Sequence, residues 1–314
     1  MENLETAIKS VKYPLVSIIT VNFNKASVTC ELLDSLKKIT YPNIEVIVVD
    51  NASTLEPPDA IKQKHPGIIF VQNPINYGFA AGNNFGIMCA RGKYILLLNN
   101  DTIVTPDFIE PMVQFFETHS KVGAISPKIR FYYNPDIIQY AGFNPINKHT
   151  LRNSAIGYNQ KDIGQYNTSC ETAFAHGAAM MLPLEVIKQV GMMSYIYFLY
   201  YEEADWCERI KRAGYSIWFI HNSLIYHKES VSTGKSSMLK TYYLSRNRIV
   251  YMRRNFFGKD FILGLLYQLW ISIPKNTFKY LINMHFKELL VYYNALFWNL
   301  RHALDKEVHE NPQL

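Results

Sequence analysis

Residues 94–102 read YILLLNNDT, an apolar run that stops abruptly at Asn99, Asn100 and Asp101. A continuous apolar segment this short, closed by turn-forming residues, describes a strand buried on both faces of a sheet. Open α/β sheets bind ligands beyond the carboxyl ends of their strands, so this run aims the Asp101 carboxylate into a crevice. Upstream, residues 15–22 (LVSIITVN), 44–50 (IEVIVVD) and 68–71 read as three further strands. Between them Val28, Leu32, Leu33, Leu36 and Ile39 recur at helical spacing behind Asn24 or Ser27 as N-cap, and a second helix is predicted near residues 82–89. Alternating β and α segments predict a doubly wound, mostly parallel sheet.

Three of these strands end in Asn22, Asp50 and Asn99–Asn100–Asp101, which the topology brings to one edge. That edge suits a nucleotide. Asp50 can accept hydrogen bonds from a ribose or base, or it can cap a helix or close an Asx-turn, since DNAS suits both. Gly78, Gly82 and Gly86 are spaced GxxxGxxxG, so the dinucleotide fingerprint is absent and a dehydrogenase is disfavoured.

Beyond Asp101, Thr105-Pro106-Asp107 opens a helix with Phe108, Met112, Phe115 and Phe116 on its core face. Residues 130–172, rich in Asn, Tyr, Gly and Pro, predict long loops or an irregular hairpin over a site. Small residues in AFAHGAAMMLP (173–183) allow close backbone approach, and a helix follows to Val190, stopped by Gly191. Next, YYEEADWCERIKR crowds Glu202, Glu203, Asp205 and Glu208 into seven residues. Like charges so close raise a carboxyl pKa towards the range of a general base. The alternative is that they favour a helix N-terminus, with Glu208 and Arg209 paired at the surface. His227, closing the strand-like SLIYH, is by spacing alone either a satisfied structural histidine or a metal ligand.

The 314 residues are 48% hydrophobic, enough for one large or two fused domains. Cys30, Cys89, Cys170 and Cys207 lie far apart without a CxxC pair, which fits reduced thiols. Residues 1–14 contain no apolar stretch, and the apparent glycosylation acceptors at Asn51 and Asn100 fall at strand ends, so a cytoplasmic chain is expected. Residues 1–227 carry 19 basic against 20 acidic side chains, whereas residues 228–314 carry 13 against 6. No nucleic-acid-binding motif accompanies this basic tail, so a membrane surface or a phosphate-bearing substrate is the expected partner. Its segments FFGKDFILGLLYQLWISIP and KNTFKYLINMHFKELLVYYNALFWNLRHAL are too short or too amphipathic to span a bilayer. They suit interfacial attachment at the inner face of the cell membrane, or packing on the preceding domain or a second subunit as a homo-oligomer contact.

The ordered set VSIITVNFN, VVDNAS, NYGFAAGNNFGI, LLLNNDT, HGAAMML, YYEEADWCERIKRAGY, LIYHK and YLSRNRIV, over roughly residues 14–255, resembles the family 2 glycosyltransferases of GT-A fold, most closely bacterial rhamnosyltransferases and galactofuranosyltransferases. The resemblance implies a GT-A catalytic domain over 1–228, divided into a nucleotide-sugar half (1–101) and an acceptor half (102–228), with a helical extension over 229–314. It implies donor contacts from Asn22, Asp50, Asn51, Asn76, Gly78, Asn83, Asn99, Asn100 and Asp101. Asn99–Asn100–Asp101 stands where the family has its DXD metal motif, with Asn for the first Asp, leaving Asp101 and His227 as ligands for Mg²⁺ or Mn²⁺. Glu203 stands at the catalytic base, with Glu202 and Asp205 binding acceptor or holding the loop and Arg246 and Arg248 near a diphosphate. The implied reaction is inverting transfer from a dTDP- or UDP-linked sugar to a saccharide or polyprenyl-diphosphate-linked acceptor in cell-envelope polysaccharide synthesis. Two alternatives remain: a sugar-phosphate nucleotidyltransferase, against which the loop NFNKAS argues, and a non-catalytic nucleotide-sugar-binding relative.

Overall fold

The computed structural model describes residues 13–228 and 238–314; the terminal segment read above as leaderless and the 228/229 boundary lie wholly or partly outside them. One sheet organises the chain, in the order β3-β2-β1-β4-β9-β6-β10-β5. Its first half is β1 (Val16–Asn22), β2 (Ile44–Asp50), β3 (Ile69–Gln72) and β4 (Tyr94–Leu98), all parallel, with Asn22 in register with Asp50. The crossovers run through α1 (Ala26–Leu36), α2 (Asp59–Lys64) and α3 (Gly78–Cys89). β4 is buried along its length, as its uninterrupted apolar sequence requires.

The second half is mixed. After β5 (Thr102–Val104) and α4 (Ile109–Thr118), β6 (Val122–Phe131) pairs with β7 (Asn134–Tyr140), and β8 (Cys170–Glu171) joins the far side of the sheet. β9 (Ala179–Pro183) runs antiparallel between β4 and β6, followed by α5 (Leu184–Val190), α6 (Glu202–Arg212) and β10 (Ser216–His227). β5 pairs antiparallel with β10, placing Thr102 opposite His227. This pairing joins the end of the decisive run to the end of the last strand.

Several local expectations need correction. α1 begins at Ala26 with Lys25 as N-cap, and no side chain caps it. The Asn24 side chain instead accepts from the Thr54 and Leu55 amides, and Ser27 donates to Glu56. α3 starts at Gly78, a turn earlier than predicted, and Gly86 lies against Ile19 with no room for a Cβ. Arg209 pairs with buried Asp205, and Glu208 pairs with Lys211, so Glu208 and Arg209 form no surface pair.

The tail forms α7 (Met238–Asn255), α8 (Gly258–Tyr267), a π turn (Gln268–Ser272), α9 (Ile273–Ile282) and α10 (Phe286–Arg301). α7 buries Val250, Tyr251 and Met252 in the core shared with Trp206 and Tyr197. By these contacts it packs into the same core as α6. α8, α9 and α10 leave much of their apolar surface uncovered, and among the described residues no helix is long and apolar enough to cross a membrane.

Candidate functional site

The carboxyl ends of β1 and β2 build a polar floor. Buried Asn22 donates from Nδ2 to Asp50 Oδ1 (2.7 Å), while its Oδ1 accepts from Thr29 (2.7 Å). Asp50 also accepts from the Ser53 hydroxyl (2.6 Å) and amide (2.9 Å), so it does close the Asx-type turn that DNAS suggested. An open groove of about 430 Å³ adjoins this turn, lined by Ser53, Thr54, Gln72 and Asn73. Asn51 donates to the Gly78 carbonyl (2.8 Å), and the Asn76 side chain accepts from the Gly78 amide (2.9 Å). Asn83 spends its amide N–H on the Phe79 carbonyl (2.9 Å). These residues therefore fix the start of α3 over the floor.

From β4 the chain turns so that Asn100 donates to Thr29 (3.0 Å), joining the Asn22 network. The Asn99 side chain makes no hydrogen bond to the described residues, whereas its backbone amide donates to Ala178 (2.9 Å). Asp101 is buried with Oδ1 at 3.1 Å from His227 Nε2, and His227 Nδ1 lies 2.9 Å from Gln139 Oε1. Burial pushes the Asp101 pKa up, but the His227 contact outweighs it and holds the carboxyl below its usual range. With Nδ1–H donated to Gln139, Nε2 and Asp101 Oδ1 face each other as two acceptors unless a proton or a cation lies between them. Oxygen plus imidazole suits Mn²⁺, and two protein donors suffice when phosphates and waters complete the shell. The donor set thus fits a divalent cation, although among the described residues no cluster of three His, Cys, Asp or Glu side chains exists.

His176 was not singled out by sequence reasoning. Its ring lies 6.1 Å from that of His227, and its Nδ1 accepts from the Ala178 amide (3.0 Å), which leaves the proton on Nε2. Burial, with His227 beside it, pushes its pKa down to about 3, so it stays neutral. The signal was the run of small residues around it in HGAA. Gly177 continues that strip against Glu203: a Cβ built on Gly177 would lie 3.7 Å from the Glu203 carboxyl carbon.

Glu202 and Glu203 open α6, each with a buried Oε2 that has no hydrogen-bond partner among the described residues. Desolvation raises both carboxyl pKa values, and Glu203 raises that of Glu202 further. Asp205 is different. It accepts from Arg254 (2.8 and 3.1 Å), Arg209 (3.3 Å), Asn255 (2.8 Å) and Tyr197 (3.1 Å), and nothing of it is exposed. These contacts tie the start of α6 to α7 and to Tyr197. Arg246 is likewise buried, with its guanidinium on the Ile196 and Tyr197 carbonyls. Arg248 donates to the Tyr201 hydroxyl (3.3 Å).

Comparison with known proteins follows the same lines. The sequence pattern described as "Glycosyl transferase family 2" matches residues 17–191, so Glu203 and His227 lie beyond the matched stretch. A low-salt glycan biosynthesis hexosyltransferase of Haloferax volcanii is 27% identical over 242 residues, 75% of this chain and 74% of that protein. An uncharacterized protein of Sinorhizobium fredii is also 27% identical, over 84% of this chain, but the chain spans only 30% of that relative's length. In fold, the chain is similar to a mannosyltransferase from Pyrobaculum calidifontis in complex with GDP-Man and Mn²⁺, with a TM-score of 0.57, 17% identity and coverage of 95% of this chain and 82% of that one.

Proposed function

Because the chain belongs to glycosyl transferase family 2, we propose that it moves a hexosyl group from a nucleoside diphosphate sugar to an acceptor hydroxyl with inversion at the anomeric carbon. The donor is a rhamnose or galactofuranose-like sugar on dTDP or UDP. The acceptor is a saccharide or polyprenyl-diphosphate-linked glycan of the cell envelope. The observation that carries this reading is the line of groups along the carboxyl edge: the Asn22–Asp50 floor, the Asp101–His227 pair, His176, and Glu203 against Gly177. The hexosyltransferase relative and the neighbour holding GDP-Man and Mn²⁺ support the same class.

In this reading the floor takes the nucleoside, with Asp50 towards the base and ribose. Asp101 and His227 hold Mg²⁺ or Mn²⁺, which when bound supplies positive charge to the donor diphosphate. Glu203 takes the proton of the acceptor hydroxyl as its oxygen attacks the anomeric carbon, and the sugar–diphosphate bond breaks with its electron pair leaving on the diphosphate. A raised carboxyl pKa makes Glu203 the stronger base. The π turn, α9 and α10 present Trp270, Phe278, Phe286 and Leu290, each more than half exposed, among Lys275, Lys279 and Lys287. An apolar face edged with lysines suits the anionic inner surface of a membrane, where a polyprenyl acceptor resides.

The test is release of nucleoside diphosphate from UDP-, GDP- and dTDP-sugars with Mn²⁺, comparing wild type with Glu203→Gln and Asp101→Ala. At least a 100-fold loss in each folded variant is expected. Full activity in both would end this reading, and tight nucleotide binding without any turnover would favour the non-catalytic alternative, for which Asn99 in place of Asp is the specific observation.

A further inference from the structure

Three of the four residues between Phe198 and Tyr201 have positive φ without being glycine: Phe198 at 59°, Tyr200 at 71° and Tyr201 at 76°. Such conformations cost roughly 1–3 kcal/mol each and persist only where the surroundings over-determine them. Here one dipeptide of α7 supplies most of the side-chain hydrogen bonds to the loop carbonyls. Asn247 Nδ2 lies within hydrogen-bond distance of the carbonyls of Tyr197 (2.9 Å), Leu199 (2.8 Å) and Tyr200 (2.8 Å), its two N–H groups shared among the three. Arg246 donates to Ile196 and Tyr197, and its Nε donates to Asn247 Oδ1 (2.8 Å), which fixes the orientation of the amide.

The loop so held touches both halves of the site. Its last residue, Tyr201, is the N-cap of α6, one position before Glu202 and two before Glu203. On the other side, the Phe198 carbonyl accepts from the Phe79 amide (2.6 Å) and fills the space where Gly78 would carry a Cβ, at the first turn of α3. The clamp is itself backed by α10: the Arg246 guanidinium lies 4.7 Å from the Trp298 ring, and Asn299 donates to the Arg246 carbonyl (3.1 Å).

We propose that Arg246 and Asn247 are positioning residues that hold the 196–201 loop, and through it the Glu203 carboxylate, in register with the start of α3. This rests on reading Glu203 as the base. A displacement of about 1 Å at such a group costs on the order of 100-fold in rate. The full-length protein is assayed with Mn²⁺ and UDP-galactose, GDP-mannose or dTDP-rhamnose, reading diphosphate release and its pH profile for Asn247→Ala, Arg246→Lys and Glu203→Gln. Hydrogen exchange over residues 196–203 is read in parallel.

For Asn247→Ala the expected result is a kcat loss of about 100-fold with donor KM within about threefold. Its acid limb should move towards that of an ordinary glutamate as water reaches Glu203. Exchange should quicken at 196–203 and not in β1 or β4. Arg246→Lys, which keeps the charge and loses the fork, should fall between the two. The proposal is overturned by a folded Asn247→Ala with wild-type kcat and unchanged exchange at 196–203, or by a loss confined to donor KM. Should Asn247→Ala not fold, Arg246→Lys decides by the same readings. Full activity of Glu203→Gln removes the base reading alone, whereas unchanged exchange in Asn247→Ala removes the clamp alone.

Discussion

Glu202 and Asp205 stand three positions apart on α6, and their surroundings shift their pKa values in opposite directions. Burial raises the Glu202 pKa, with the Glu203 carboxylate beside it adding to the rise. Asp205 is equally buried, yet Arg254 and Arg209 outweigh burial and hold its carboxyl below the usual range. The linkage signs differ accordingly. A raised carboxyl pKa contributes stability below its unfolded value near 4.5 that is lost as pH rises through the folded value, at about 1.4 kcal/mol for every pH unit between the two. Glu202→Gln is therefore expected to unfold at a higher temperature than wild type at pH 8 and at nearly the same temperature at pH 4.5, read by calorimetry. A depressed pKa contributes stability that is present above about pH 4 and lost as pH falls through the folded value. Asp205→Ala leaves Arg209 and Arg254 buried without their partner, and a loss of about 3–5 kcal/mol is expected in urea unfolding at pH 7. The EEAD motif was plain in the sequence. Which of its acids would be locked into ion pairs was not, because the answer came from Arg254 and Asn255, about fifty residues away.

At the scale of the element, the parallel half was legible because each strand announces itself locally. Residues 94–98 carry no polar side chain but the Tyr94 hydroxyl and run between two neighbours, so their sequence and their burial are one fact. Leu96, buried between Ile18 and Met181, is expected to cost about 2–5 kcal/mol as Leu96→Ala, read by urea unfolding, with its site residues undisplaced. Helix starts were less legible. Asn24 and Ser27 have the chemistry of N-caps, but tertiary partners in residues 53–56 took their hydrogen bonds first. His176 escaped notice for a related reason: in sequence it is a lone histidine in a run of small residues, and only the antiparallel placement of β9 beside β4 brings it to the Asp101–His227 pair.

At the scale of the whole molecule, charge and apolar exposure coincide in the helical tail from α8 to α10. Sedimentation with phosphatidylglycerol vesicles is expected to carry the protein down at low salt, with binding falling several-fold as salt rises to about 0.5 M and little binding to phosphatidylcholine. Equal binding to both lipids would remove the electrostatic part of this reading, and a stable dimer without lipid binding would assign the face to a second copy. The sequence by itself determined the α/β alternation and the family, and it supplied Asn22, Asp50, Asp101 and Glu203 as candidate site residues, because strand periodicity and short motifs are local properties of the chain. Only the tertiary structure decided that His227 closes on Asp101, that His176 and Gly177 bridge that pair to Glu203, and that Arg246 serves the loop carbonyls. Those are contacts between residues tens to more than a hundred positions apart, and they exist only once burial has brought the strands and helices that carry them together.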